Sequence, residues 1–122
     1  MNRPQSFQVD IQKTEKANTV YLQGELDLSK VAELRTALDS FIADTNRRLV
    51  LNLKQLQYID STGIGVIVSV LKARNVLEAP FTVDDIPPKI QRLFDLTGIT
   101  PFLHADEAGE ASTGKTINDL KG

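Results

Sequence analysis

Apolar and polar residues alternate along the first part of the chain. In FQVDI (7–11) every second residue is apolar, and the same period of two returns in VYLQGEL (20–26), with Gly24 in the apolar phase. A period of two is typical of a strand with one buried face. The polar stretch TEKAN (14–18) lies between these segments, so the pattern predicts a β-hairpin.

The apolar spacing then changes to that of a helix. The residues that share one helical face are Val31, Leu34, Leu38, Phe41 and Ile42. Ser29 precedes this face and is the predicted N-cap, because a serine hydroxyl can accept a hydrogen bond from a free N–H of the first turn. Asn46 and the two arginines after it are expected to end the helix.

The middle of the chain contains two dense apolar runs. RLVLNL (48–53) has the length and continuous hydrophobicity of a strand at the centre of a sheet, covered on both faces. The run that begins at Gly63 is ambiguous, because its β-branched residues favour a strand while its length and its KAR continuation favour a helix. We predict a helix over 61–77, since a strand would need a turn signal near Ser69.

The last predicted elements follow Pro80. FTVDD (81–85) indicates a strand, and Pro87 and Pro88 suit the start of a helix that Gly98 would end. TPFLH (100–104) would add a final short strand. The order predicts an α/β fold, a mixed β-sheet of four to five strands with helices packed against it. Residues 1–104 would form the domain, and 105–122 a polar, weakly ordered tail.

Composition narrows the functional classes. The 122 residues, 41% of them hydrophobic, are enough for one buried core. A net charge of −2 argues against nucleic acid and membrane partners, and the absence of cysteine excludes disulfides and thiolate metal sites. No signal peptide is predicted, and the longest apolar run, 63–71, is too short to span a bilayer. A cytoplasmic location is expected.

The stretch Asp60-Ser61-Thr62-Gly63 stands between a strand and a helix. All three polar residues are good helix caps, so a structural role alone accounts for the residue types. However, one cap is sufficient, and Gly63 and Gly65 each cost about 1 kcal/mol relative to alanine within a helix. Glycines at these positions favour the close approach of another surface to the serine.

Two chemical interpretations of polar motifs in the sequence, one at Ser61 and one at 109–116, are rejected. A nucleophilic serine needs a nearby base, yet the chain has one histidine, His104, and Ser61 lacks the G-x-S-x-G setting. GEASTGKT (109–116) matches a phosphate-binding loop, but six residues follow Thr116, too few for the required helix. The match is therefore interpreted as chance. We expect no enzyme activity, no cofactor and no metal.

A third interpretation makes the Ser61 hydroxyl a substrate. A phosphoserine carries about −1.5 to −2 charges, which a helix N-terminus would stabilise. The Asp60 carboxylate would oppose that charge. Two like unit charges about 4 Å apart repel by roughly 1 kcal/mol at the dielectric constant of water and by about 4 kcal/mol at the lower one near a protein surface. Phosphorylation would thus abolish a protein contact without unfolding the domain.

Three blocks of the sequence together resemble one protein family. GELDLSKVAELRTAL (24–38), LVLNLKQLQYIDSTGIGVIVSVLKAR (49–74) and IQRLFDLTGI (90–99) are similar to the bacterial anti-sigma factor antagonists built on the STAS domain. The likeness covers residues 5 to 104, and D-S-T-G-[IL]-G is the signature stretch of the family. The chain departs from the family at NVLEAPF (75–81), where relatives often have a glycine-rich turn.

The resemblance implies a partner switch. The unphosphorylated antagonist would bind an anti-sigma factor that is also a serine kinase, and would release the sigma factor. The kinase would phosphorylate Ser61, with Thr62 as second choice, and a PP2C-type phosphatase would reverse the reaction. Asp27 and Asp60 would flank the phosphosite. The partner-binding residues would be Glu25, Leu28, Ser29, Thr62, Gly63 and Ile64.

Two further properties follow as expectations. The protein would be a monomer or weak dimer. The alternative function is a STAS scaffold or sensor module, in which the apolar start of the 61–77 helix forms an assembly surface. The absence of a second domain in 122 residues argues against a sensor.

Overall fold

The computed structural model describes residues 7–103. The strands are β1 (Gln8–Lys13), β2 (Ala17–Leu26), β3 (Arg48–Ile59) and β4 (Phe81–Asp84), and the helices are α1 (Val31–Ala43), α2 (Ser61–Val76) and α3 (Pro88–Thr97). Short 3₁₀ turns occupy Leu28–Lys30 and Thr100–Phe102. The predicted order of elements is confirmed, and so is the choice of a helix over 61–77.

The four strands form one mixed sheet in the order β1-β2-β3-β4. The hairpin pairs β1 with β2 antiparallel, whereas β2 with β3 and β3 with β4 are parallel. Because β2 and β3 run in the same direction, their carboxyl ends meet at one edge, where Leu26 is paired with Ile59. The loops that follow these two strands therefore start side by side.

The core lies between the sheet and the helices. The inward face of β2 contributes fully buried Val20, Leu22 and Leu26, and α1 contributes Leu34 and Leu38. Helix α2 has buried residues along most of its length, from Gly63 to Arg74. The packing fixes the start of α2 against the ends of β2 and β3.

Strand β3 is longer than the predicted 48–53. The apolar run stops at Lys54 and Gln55, which are exposed, but the strand continues to Ile59. Its pairing with β2 contains two register shifts, between Tyr21 and Gln23 and between Gly24 and Glu25. Extra residues in one strand change which positions face inward, and the second half of β3 therefore escapes a prediction based on regular alternation.

Two predictions about helix ends and strands are wrong. Ser29 is not the N-cap of the first helix; it lies in the 3₁₀ turn, which Asp27 caps by accepting a hydrogen bond from the Ser29 N–H at 3.0 Å. Residues 100–102 form a 3₁₀ turn instead of a fifth strand, since Pro101 has no N–H for a ladder. Among the described residues of this segment, only Leu103 contacts β4 through a backbone hydrogen bond, its carbonyl accepting from the Val83 N–H at 3.1 Å.

The predicted boundaries of the last helix are close to those observed. Pro88 is its first residue, with Pro87 as the N-cap. Gly98 ends it in the left-handed conformation at φ 79°, as its position predicted. His104, the 105–122 tail and the 109–116 loop motif lie outside the described residues.

Candidate functional site

The predicted site forms where the chain leaves β2 and β3. The backbone N–H of Asp60 donates to the Leu26 carbonyl at 3.3 Å, which joins the two strand ends directly. The 3₁₀ turn after β2 and the first turn of α2 after β3 consequently lie together at the carboxyl edge of the sheet. The parallel pairing of β2 and β3 thus brings both loops to one end of the sheet.

The Asp60 carboxylate connects both loops. The backbone N–H of Gly63 donates to Oδ1 at 2.9 Å, so Asp60 is the N-cap of α2. The backbone N–H of Leu28, 32 positions earlier in the sequence, donates to Oδ2 at 3.3 Å. One side chain therefore caps the helix and holds the neighbouring turn, which relieves Ser61 and Thr62 of the capping role.

Ser61 is the first residue of α2 and is exposed. Within residues 7–103 its hydroxyl has no hydrogen-bond partner, and the same holds for the half-buried Thr62. Gly65 lies one turn further along, and a Cβ there would meet no atom within 4 Å. The hydroxyl of Ser61 is thus accessible to another molecule. The neighbouring helix surface is open because Gly65 has no side chain.

Gly63 has a different role from Gly65. A Cβ at Gly63 would lie 2.7 Å from Cγ1 of Ile59 and 3.0 Å from Cγ of Leu26. These distances are shorter than van der Waals contact, so only glycine allows α2 to start this close to the sheet. Both glycines were predicted to expose the serine, and the structure supports that role for Gly65 alone.

Asp27 is held in a fixed orientation beside this site. Its Oδ1 accepts hydrogen bonds from the Ser29 hydroxyl at 2.6 Å and from the Ser29 N–H at 3.0 Å. The hydroxyl bond, more than any other contact, lowers the pKa of Asp27 below its ordinary value, and Lys30 adds a smaller effect in the same direction. The carboxylate is therefore negatively charged at neutral pH.

The residues predicted to bind a partner differ in exposure. Leu28 is 68% exposed, Ser29 is exposed, and Glu25 and Thr62 are half-buried. Gly63 and Ile64 belong to the core, where Ile64 is only 9% exposed. Gly63 has no side chain and that of Ile64 offers almost no surface to a partner; their assignment as partner-binding residues stays a prediction.

Tyr58 was not among the predicted site residues. It is 48% exposed and is paired in register with Glu25 at the carboxyl edge of the sheet. Gln57 and Tyr58 are both exposed between the buried residues Leu56 and Ile59, so regular alternation does not identify Tyr58. Its exposure follows from the shifted pairing of β3 with β2.

The structure also bears on other kinds of site. In the stretch from Phe7 to Leu103, no group of three or more His, Cys, Asp or Glu side chains could hold a metal ion. No helix in that stretch is long and apolar enough to cross a membrane.

Comparison with known proteins defines the class of this domain. The sequence profile of the STAS domain matches residues 8–115, so the chain belongs to the STAS domain family. The match extends beyond residue 104, the predicted end of the domain; that boundary stays a prediction.

Within the family, the chain is similar to an anti-sigma-B factor antagonist from Staphylococcus aureus. The two are 32% identical over 105 residues, which cover 86% of this chain and 97% of that protein. An anti-sigma factor antagonist from Mycobacterium paratuberculosis has a similar structure, with a TM-score of 0.75 and 23% identity over 91% of this chain and 97% of that one. SpoIIAA from Bacillus, in its phosphorylated form, gives a TM-score of 0.63 and 21% identity over 80% and 87%.

Proposed function

We propose that the protein is an anti-sigma factor antagonist that is switched by phosphorylation of Ser61. In the unphosphorylated state it binds an anti-sigma factor with serine kinase activity, and the sigma factor is released. The observation that carries the proposal is the exposed Ser61 hydroxyl, which has no partner in the described residues because Asp60 already caps the helix. Similarity to the Staphylococcus aureus antagonist over most of both chains supports the same role.

The chemistry at Ser61 is a phosphoryl transfer in which this protein is the substrate. The kinase moves the γ-phosphoryl group of ATP to Oγ of Ser61, so that a new P–O bond forms, the bond to ADP breaks and the hydroxyl proton leaves. The base and the magnesium ions for such a transfer come from the kinase. A PP2C-type phosphatase then hydrolyses the phosphoserine and restores the hydroxyl.

The phosphate acts as an off-switch through its charge. Asp60 lies next to Ser61 in the chain, and Asp27 caps the adjoining turn. A phosphate placed about 4 Å from one carboxylate is repelled by roughly 1–4 kcal/mol per unit charge. A partner that covers the site must also remove water from these charges, and each 1.4 kcal/mol lowers affinity about tenfold.

The protein acts without catalysing a reaction itself, as a binding partner in the cytoplasm. The scaffold alternative depended on the apolar start of α2 as an assembly surface. In the structure Ile64, Val66, Ile67, Val70 and Leu71 are buried in the core of the domain, and Val68 is half-buried against it. Little of this apolar segment is left for an assembly surface, which supports the antagonist role over the alternative.

Binding measurements with two variants at Ser61 test the switch. Ser61→Asp should weaken binding to the anti-sigma factor at least tenfold, about 1.4 kcal/mol, while the circular dichroism spectrum remains that of the folded domain. Ser61→Ala should bind like the wild type, because it adds no charge, and should resist inactivation by kinase and ATP. Unchanged binding of Ser61→Asp would show that charge at this position is not the switch.

A further inference from the structure

A groove runs along the carboxyl edge of the sheet, on the side of α3. It consists of two adjoining hollows of about 410 Å³ and 380 Å³, which share Gln57, Lys89 and Ile90 as lining residues. The first hollow begins at Glu25 on β2, and the second extends from Tyr58 on β3 to Leu93 on α3. We call this continuous surface the β3–α3 groove.

The wall residues of the groove have a distinct chemistry. Its floor contains the buried side chains of Ile59 and Ile90, while Tyr58 and Leu93 are 48% and 38% exposed. Two cations, Lys89 and Arg92, are exposed at the α3 side. In the described part of the chain neither has a salt bridge. The groove therefore offers apolar contact area flanked by unpaired positive charge.

The position of the groove connects it to the proposed switch. Glu25 and Tyr58 are register partners at the strand ends. Asp60 and Ser61 follow Tyr58 directly after Ile59. In open α/β sheets, ligands bind beyond the carboxyl ends of the strands. A protein that covers Ser61 is therefore adjacent to the groove.

The shape of the groove favours a protein segment over a small molecule. Pockets for small ligands are usually closed enough to bury most of the ligand surface. In this groove the lining residues Gln57, Tyr58, Pro88, Lys89, Arg92 and Leu93 are instead exposed, so a small molecule would keep much of its surface in water. Exposed aromatic and aliphatic side chains beside positive charges match an extended segment that combines a large apolar side chain with acidic residues.

We infer that the β3–α3 groove receives an acidic segment of the anti-sigma factor, anchored by an apolar side chain between Tyr58 and Leu93. The acidic residues of that segment lie toward Lys89 and Arg92 and away from Glu25. This inference rests on the proposed function, because it assigns a second contact to the same partner. The groove provides affinity that does not depend on the state of Ser61.

Charge reversal at one exposed arginine tests the electrostatic part of the inference. Arg92→Glu should weaken binding of the unphosphorylated protein to the anti-sigma factor at least tenfold, mainly through a slower association rate that becomes less sensitive to salt. Arg92→Lys should retain most of the affinity because it keeps the charge. Arg35→Glu is the matched control, since Arg35 is also exposed on a helix but lies outside the groove, and it should bind like the wild type.

Cross-linking identifies the occupant directly. The chain contains no cysteine, so Leu93→Cys introduces a single attachment point for a photo-activated cross-linker, and Arg35→Cys provides the control. In the complex, Leu93→Cys should yield one main cross-linked peptide of the anti-sigma factor that contains Asp or Glu and a large apolar residue. A basic peptide, or cross-linking no stronger than at Arg35, would overturn the inference.

The results distinguish the groove from the switch. If Ser61→Asp abolishes binding while Arg92→Glu binds like the wild type, the switch stands and the groove is not a contact. If Arg92→Glu weakens binding while Ser61→Asp does not, the groove is a contact and the switch mechanism is wrong. If the wild type binds no anti-sigma factor, both proposals are wrong.

Discussion

At the scale of single residues, Asp60 determines the geometry of the candidate site. Its two carboxylate oxygens accept from two different segments, Oδ1 from the Gly63 N–H and Oδ2 from the Leu28 N–H. A serine or threonine cap has one side-chain oxygen and cannot replace both bonds in this way. Ser61 therefore does not cap α2, although its position in the sequence is one that a capping residue could occupy.

Asp60→Asn separates these two bonds. The asparagine oxygen can still accept from the Gly63 N–H and cap α2, but its amide nitrogen cannot accept from the Leu28 N–H. We expect faster hydrogen exchange at the Leu28 amide and a decrease in the free energy of unfolding of no more than about 1 kcal/mol. Asp60→Ala removes both bonds and should be less stable than Asp60→Asn by a further 1 kcal/mol or so. Unchanged exchange at Leu28 in Asp60→Asn would contradict the proposed link.

The two glycines of α2 provide a matched pair of substitutions. Gly63→Ala should lower the free energy of unfolding by at least about 1 kcal/mol, because the added methyl group overlaps Ile59 and Leu26. Gly65→Ala meets open space and should raise the free energy of unfolding by roughly 0.5–1 kcal/mol through its higher helix propensity. Urea denaturation measures both. Effects of the same sign would show that packing does not distinguish the two positions.

At the scale of secondary-structure elements, Arg74 joins the helices and loops at the opposite end of α2 from Ser61. This fully buried side chain donates hydrogen bonds to five backbone carbonyls at 2.7–3.2 Å. The acceptors belong to Phe41, Ile42, Asp44, Arg47 and Pro80. Arg74 thereby supplies donors to the free carbonyls at the end of α1. It also holds the segments that lead into β3 and β4 against α2.

Replacement of Arg74 should destabilise the whole domain. Arg74→Met retains much of the volume but leaves five acceptors without a charged donor, and we expect the free energy of unfolding to decrease by about 3–5 kcal/mol. Lys72→Met is the control on the same helix, at a half-buried position, and should change stability by less than about 1 kcal/mol. A small effect for Arg74→Met, equal to that of Lys72→Met, would contradict this role.

The elements also show what the sequence could and could not predict. Helix α1 and strand β2 were predicted because their apolar spacing is regular and reports burial directly. Helix α2 was predicted from the length of its apolar run and the lack of a turn signal, and α3 from the prolines and the glycine at its ends. In β3 the buried residues Leu53, Leu56 and Ile59 are three apart, a spacing created by shifted pairing with β2. No local pattern contains that information, since it depends on the partner strand.

At the scale of the whole molecule, three carboxylates stabilise the fold while they are ionised. Hydrogen bonds from Ser29, Asn18 and Thr100 are the main causes that lower the pKa of Asp27, Asp44 and Asp95, respectively. Each group has a lower pKa in the folded state than its ordinary value of 3.8. Their contribution to stability is therefore fully present above that value and is lost as the pH falls through the folded-state pKa values.

Acid titration of stability checks this linkage. The free energy of unfolding in urea should decrease as the pH is lowered below 3.8, the ordinary pKa of these groups. Asp44→Asn removes one of the titrating groups and should reduce the dependence on pH in that range. An identical pH dependence in Asp44→Asn and the wild type would show that Asp44 does not contribute.

The features of the site that could not be predicted from the sequence depend on contacts between residues far apart in the chain. Ser61 and Asp60 were predicted from their residue types and from resemblance to a family, and Asp27 from the resemblance alone. The bond between Asp60 and Leu28 joins segments 32 residues apart, and the burial of Ile64 depends on a core assembled from every element. Such features follow from the sheet topology, which brings two loops together, and not from any local sequence signal.

The most direct test of the switch is to locate the phosphate. The protein is incubated with its anti-sigma factor kinase, ATP and magnesium, and the modified residue is identified by mass spectrometry, with Ser61→Ala as the control that retains Thr62. We predict a single phosphate on Ser61 and none on Ser61→Ala. Phosphate at another residue, or no phosphate with a kinase that binds the protein, would contradict the proposed mechanism.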